Sequence, residues 1–295
     1  MSPLQAGPRA IRLRRLYHHG PHGLLVTPLD HTLACGPVTR LGWTLDDLVA
    51  ALAAGGSDAI VLHKGAVRQV APEHLADVSL IVHLNGSTAS APDPDAKVML
   101  TSVEEAIRVG ADAVSLHVNL GAASETQQIQ GLATVAEACD RWNLPLLAMV
   151  YPRGPAVEDP LDPDLLLRAV TIAADLGADL VKTAAPRQVE TVRDLAQRCP
   201  VPLLLAGGAP RTEERELVAD VRRALAGGVG GLAMGRTLFH ADDPRHTTAT
   251  VADLIHQKPE LLISPKITQK GTDHVDDDHA YEQEHERECD EAVLA

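Results

Sequence analysis

Residues 162–185 read DPDLLLRAVTIAADLGADLVKTAA and hold one complete passage from helix to strand. The Asp162 carboxylate can accept the orphan N–H bonds of a helix start, and Pro163 suits the first helical position, which needs no donor. Gly177 follows the helical run and fits a C-terminal cap. The short apolar run Leu180–Thr183 then predicts a strand buried on both faces, interrupted by one charged residue, Lys182. Working outward, comparable apolar runs recur at Leu24–Pro28, Ala59–His63, Leu80–Leu84, Ala113–Val118, Leu146–Val150, Leu203–Ala206 and Gly231–Met234. With Leu180–Thr183 they make eight strands, each followed by a loop and usually a helix. That pattern predicts an α/β fold, a (β/α)8 TIM barrel. An open doubly wound sheet is the alternative, and the lack of an evident switch in strand order favours the closed barrel.

Helix starts fit this reading. Thr44–Asp47, Ser102–Glu105 and Ser124–Gln127 have the spacing of capping boxes. Ile129, Leu132, Ala136 and Cys139 recur at helical spacing and predict a core-facing stripe, while Gly110 and Gly227 join Gly177 as expected helix ends. The basic N-terminus, MSPLQAGPRAIRLRRLYHHG, has no apolar h-region and is expected to form a helical cap on the barrel rather than a secretory signal. Residues 1–257 are expected to form the barrel. From Lys258 the sequence turns polar, acidic and non-periodic, so 258–295 predicts a disordered tail in which His274, His279 and His285 are solvated.

Composition excludes several classes. Only 2% of the 295 residues are aromatic against 45% hydrophobic, so the core must be aliphatic. A net charge of −14 argues against a nucleic-acid partner, which needs a basic footprint. No apolar run reaches the roughly 18 residues of a membrane span. The four scattered cysteines, Cys35, Cys139, Cys199 and Cys289, predict reduced thiols in a cytoplasmic protein. No zinc-ligand spacing appears, so neither a metal nor a cofactor is expected.

The active site of such a barrel lies at the carboxyl ends of its strands. In strand order those ends carry Asp30 and His31, His63 and Lys64, His83 and Asn85, His117 and Asn119, Tyr151 and Arg153, Lys182, Gly207–Gly208, and Gly235–Arg236. Lys182 sits in GADLVKTAA, where desolvation and nearby cations would favour the neutral, nucleophilic amine. A strand-end lysine that reaches solvent or pairs with a carboxylate is the duller alternative, and its companions decide. The Tyr151 phenol, one strand earlier, can supply the proton that expels water from a carbinolamine. Asp30 is placed to orient the lysine or bind substrate hydroxyls. The four histidines read mainly as polar wall, with His31 at the substrate. LLLAGGAPR and AMGRTLF occupy the two places where barrels often bind phosphate. Gly207, Gly208 and Gly235 would let backbone amides approach the anion, and Arg236 would add a fork of donors.

The stretches PLDHTLACGP, IVLHKGAV, SLIVHLNGSTASAPDPDAK, SVEEAIRVGADAVSLHVNLG, LPLLAMVYPRG, LGADLVKT, VPLLLAGG and MGRTLF span roughly residues 10–257. Together they resemble the archaeal-type class I aldolases. HKG, VHLNGST, HVNLG and YPRG point to the branch of 2-amino-3,7-dideoxy-heptulosonate synthases and their actinobacterial 2-amino-4,5-dihydroxy-6-oxo-7-(phosphooxy)heptanoate relatives. The resemblance implies that Lys182 forms the Schiff base, Tyr151 is a general acid/base and Asp30 assists proton transfer. It implies phosphate contacts from Gly207, Gly208, Gly235 and Arg236, and a homo-oligomer, since family members form ring-shaped decamers. The expected substrates are dihydroxyacetone phosphate or a related ketose phosphate and L-aspartate 4-semialdehyde, whose carboxylate would meet Arg153 or Lys64. Fructose-bisphosphate aldolase, autoinducer-2 phosphate thiolase and a non-catalytic sugar-phosphate-binding barrel are the alternatives. The sequence departs from the family pattern at Thr32, where relatives often carry glycine, in TAAPRQ after the lysine, and in its acidic tail. The first two changes fall beside the substrate and leave the donor open.

Overall fold

The computed structural model describes residues 7–208 and 213–257. Eight parallel strands close a barrel in the order β1-β10-β9-β8-β7-β6-β3-β2. They are β1 (Leu24–Pro28), β2 (Ala59–His63), β3 (Ser79–His83), β6 (Ala113–Leu120), β7 (Leu146–Pro152), β8 (Leu180–Thr183), β9 (Leu203–Ala206) and β10 (Gly231–Ala233). Two very short strands, β4 (Asn85–Gly86) and β5 (Val98–Met99), form a separate antiparallel pair beside β3. The helices are α1 (Pro8–Arg15), α2 (Thr32–Cys35), α3 (Leu45–Ala54), α4 (Val103–Arg108), α5 (Glu125–Trp142), α6 (Pro163–Asp175), α7 (Val189–Arg198), α8 (Glu214–Ala226), α9 (Arg236–Phe239) and α10 (Pro244–His256). All eight expected strands are present. The β2–β3 connection carries two 3₁₀ turns, Ala66–Gln69 and Pro72–Leu75, instead of an α-helix.

Strand alternation sorts the side chains into two cores. Leu24, Val26, Val61, Ile81, Leu147, Met149, Leu180 and Leu204 pack together inside the barrel. Their neighbours Leu25, Ile60, Val82, Leu146, Val150, Val181 and Leu205 face the helices. This parity decides the site. Lys182 lies two residues beyond Leu180 and Tyr151 two beyond Met149, so both are carried on the inward face. At the opposite end, Leu13 of α1 and Leu16 just after it pack on the inner core, which is the expected helical cap. Asp58 locks that end: its carboxylate accepts from the Leu25 N–H at 2.7 Å and pairs with His19 at 3.0 Å and His256 at 2.8 Å. Among the described residues this His19–Asp58–His256 trio is the one clustering of metal-ligating types, and its atoms bond to one another far from Lys182.

The Thr44–Asp47 capping box is complete, Ser102 accepts from the Glu105 N–H, and Asp162 accepts from the N–H groups of Asp164 and Leu165. The Ser124–Gln127 box does not form. Ser124 lacks the extended backbone of a capping residue, and its Oγ accepts from the Gln128 amide instead. After α8 the left-handed turn falls on Gly228 (φ 84) rather than Gly227. Cys139 and Cys199 are free, but Cys35 is disulfide-bonded, which corrects the expectation of four reduced thiols. The expected acidic tail, 258–295, lies outside the described residues. No helix of the described residues is long and apolar enough to cross a membrane.

Gly154 ends the YPRG run at φ 137, where its Cα faces the backbone of Gly121 at the end of β6. A Cβ there would drive into the Gly121 carbonyl, a backbone group that cannot swing aside. Gly154→Ala should therefore destabilise the fold by about 2–3 kcal/mol, seen as a lower urea midpoint at unchanged slope.

Candidate active site

Lys182 is 8% exposed, and its Nζ lies 5.9 Å from the centroid of the Tyr151 ring. Its register partner on β7 is Met149, so Tyr151 stands one inward layer nearer the barrel mouth. The Tyr151 ring is also 4.9 Å from that of His117. His117 is fixed from both ends: its Nε2 bonds Asn119 Oδ1 at 2.7 Å, and its backbone exchanges two bonds with the Asn85 amide. Asp30 reaches in from the end of β1. Its Oδ2 lies 3.6 Å from His83 Nε2, and its Oδ1 3.8 Å from His31 Nδ1. Both distances exceed a hydrogen bond. Asp30 Oδ1 and His31 Nδ1 are buried with no partner, an arrangement costing about 1–3 kcal/mol per atom. They form the acceptor and ring nitrogen that a substrate hydroxyl could bridge.

Burial sets the protonation states here. It lowers His31 and His83 to about 4 each, against the pull of Asp30, so both imidazoles are neutral at pH 7. His117 is driven well down by burial and by the nearby Lys97 and Arg153 charges. Burial alone would raise the Asp30 carboxyl, but His83, His31, Lys182 and His63 outweigh it and hold Asp30 far below the usual carboxylate range. Lys182 is thus one of the four neighbours that hold Asp30 ionised.

A cleft of about 470 Å³ and a smaller inner chamber of about 70 Å³ meet at this group. Lys182, Tyr151, His31 and Arg153 line both. The outer cleft ends at Gly207, Gly208, Gly235 and Arg236. The Arg236 guanidinium donates to the Gly208 carbonyl at 3.0 Å, which ties the two glycine loops together. Gly235 is pressed against β1: a Cβ would lie 2.7 Å from the Pro28 carbonyl and 3.0 Å from His31 Cε1. The inner chamber is walled by Asp30, His63, His83, Asn85, His117 and Lys97.

The structure thus brings together every expected site residue except Lys64. Inward parity on β2 ends with His63, so Lys64 falls on the other side, exposed, with its charge acting on Glu105. Arg153 is at the site, but its Nε pairs with Asp95 Oδ1 at 3.1 Å. Sequence reading missed Asp95, Lys97 and Ser87, because none ends one of the eight apolar runs that mark the barrel strands. They lie in the loop between β4 and β5, where the alternation of proline and aspartate in APDPDAK was the available signal.

The chain is similar to known proteins in sequence and in fold. The model of the DeoC/LacD family of aldolases matches residues 24–241. A 2-amino-4,5-dihydroxy-6-oxo-7-(phosphonooxy)heptanoate synthase of Streptomyces griseus is 51% identical over 256 residues, covering 87% of this chain and 93% of its own. A 2-amino-3,7-dideoxy-D-threo-hept-6-ulosonate synthase of Halobacterium salinarum is 37% identical, covering 82% and 90%. An archaeal fructose-1,6-bisphosphate aldolase, solved with its catalytic lysine bound to the carbinolamine intermediate, aligns with a TM-score of 0.77 at 25% identity over 84% and 99%. Barrel, cleft and sequence kinship converge: the chain belongs to the DeoC/LacD family of aldolases.

Proposed function

We propose that this chain is a lysine Schiff-base aldolase that joins dihydroxyacetone phosphate, or a related ketose phosphate, to L-aspartate 4-semialdehyde. The observation that carries the reading is the position of Lys182, at the junction of a glycine-and-arginine-ended cleft and a polar inner chamber. The donor's phosphate would lie against Gly207, Gly208, Gly235 and Arg236, with its ketone at Lys182. The amine of Lys182 attacks the keto carbon, and Tyr151 protonates the carbinolamine hydroxyl, which leaves as water. The phenolate left on Tyr151, or the Asp30 carboxylate, then takes a proton from the adjacent carbon to give an enamine, with the iminium as electron sink. The enamine carbon attacks the aldehyde, Asp30 or Tyr151 returns a proton to the new alkoxide, and water releases the product from Lys182.

A three-carbon donor and a four-carbon acceptor give a seven-carbon amino acid phosphate, the kind of product for which the Streptomyces griseus relative is named. Such a product would feed aminohydroxybenzoate or related aromatic biosynthesis. Phosphorylated substrates fit a cytoplasmic reaction. A homo-oligomer belongs to the same reading, supported by exposed apolar side chains at Leu41, Val98, Met99 and Trp142.

The test is a mass-spectrometric product assay on purified protein with dihydroxyacetone phosphate and either L-aspartate 4-semialdehyde or glyceraldehyde 3-phosphate. The seven-carbon amino acid phosphate should form from the first pair alone. Fructose bisphosphate from the second pair alone would move the enzyme to sugar metabolism. Donor binding without any borohydride-trapped adduct would mark a non-catalytic barrel.

A further inference from the structure

The inner chamber holds a cation that the donor half of the reaction does not use. Lys97 is half-buried in the loop between β4 and β5, and its Nζ donates to Ser87 Oγ at 2.7 Å and the Pro94 carbonyl at 2.8 Å. Both partners are neutral oxygens. Among the described residues no carboxylate comes within salt-bridge distance of it. The other charges around the chamber are balanced: Arg153 pairs with Asp95, and Asp30 faces Lys182. The loop that carries Lys97 is itself clamped, because the Asp95 carbonyl accepts from Asn119 Nδ2 at 3.0 Å and Gln128 Nε2 at 2.8 Å. A half-buried ammonium hydrogen-bonded only to neutral oxygens, on a pinned loop that lines the same chamber as Lys182, is built to receive an anion.

We infer that the inner chamber is the acceptor subsite and that Lys97 binds the carboxylate of an aldehyde substrate. The inference rests on the aldolase reading and adds the acceptor's recognition to it. It replaces Lys64, which faces away, and gives Arg153 a positioning role through Asp95. The aldehyde end then points toward Tyr151 and Lys182, while the donor's phosphate lies at the opposite end of the outer cleft. Burial, helped by the Arg153 charge, lowers Lys97 to about 8, so it remains largely protonated at neutral pH. A carboxylate bound beside it would favour the charged form.

The test compares two acceptors, L-aspartate 4-semialdehyde and propionaldehyde, with dihydroxyacetone phosphate as donor. In Lys97→Met the ratio of their kcat/KM values should fall by about 30-fold or more, through KM for the charged acceptor. Lys97→Arg should keep most of that ratio. Borohydride trapping of the donor on Lys182 serves as the control in both variants. A donor adduct accompanied by an unchanged ratio, or by equal losses for both aldehydes, overturns the inference and leaves the aldolase reading intact. No donor adduct in the unmutated protein overturns that reading and this inference with it. A measurement on the unmutated protein guards against misfolding of the variants. L-Homoserine, which keeps the carboxylate, should compete with the acceptor about ten-fold better than homoserine amide, and equal competition overturns the inference.

Discussion

Lys182→Ala is expected to abolish turnover, by about 10⁴-fold or more, while leaving the barrel folded. The loss follows from covalency: the iminium is the electron sink that permits deprotonation next to the carbonyl, and no other amine is placed to replace it. Lys97, which also lines the inner chamber, is held by Ser87 and Pro94. The fold should survive because Lys182 contributes little packing; Leu180 and Val181 bury the strand on its two faces. One side effect is expected at Asp30. Without Lys182 its carboxyl should rise, since burial pushes it up and one of the neighbours that lower it is gone. Mass spectrometry after borohydride reduction should detect the donor adduct in the unmutated chain and none in the variant. A correctly folded, active Lys182→Ala protein would sink the mechanism.

Much of this site was legible because a barrel converts sequence order into spatial order. Residues just past each apolar run converge on one rim, so Asp30, Tyr151, Lys182, Gly207 and Gly235 could be placed together without knowing any distance. Parity refines that inference: His63 and Lys64 are neighbours in sequence, but only His63 continues the inward face of β2. The short strands were legible where register runs out soon after the apolar core. They were not where pairing continues through polar residues. Strands β6 and β7 stay in register to Leu120 and Pro152, beyond the apolar runs that defined them.

The loop between β4 and β5 was the least legible part, although it holds a wall of the chamber. Its structure depends on contacts distant in sequence: the Arg153 guanidinium, the Asn119 amide and the Gln128 amide all converge on Asp95. No local period announces such an arrangement. Ser124–Gln127 failed for a related reason. The capping spacing was present, but Gln128 takes the serine oxygen and spends its own amide oxygen on the Asn119 N–H. Tertiary demand at the site overrode a local helix signal.

Tyr151→Phe should separate the two halves of iminium formation, with kcat falling by about 10²–10⁴-fold. The phenylalanine ring keeps the van der Waals volume beside Lys182 and His117 and removes only the phenolic proton. Lys182 can still add to the ketone, because that step forms a carbon–nitrogen bond without expelling water. Dehydration then lacks its acid: His117 is held neutral by burial, and His31 and His83 titrate near 4, so none of them is protonated at pH 7. The variant should therefore stall at the carbinolamine, which borohydride does not reduce. Intact-mass measurement under mild conditions should show the donor's mass on the chain, whereas the borohydride-reduced adduct should be depleted relative to the unmutated protein. Depletion of the reduced adduct with donor binding preserved assigns the dehydration proton to Tyr151. A variant that forms the reduced adduct normally and fails only in carbon–carbon bond formation would move Tyr151 to the later proton transfers and leave dehydration to Asp30 or a water held between Asp30 and His31.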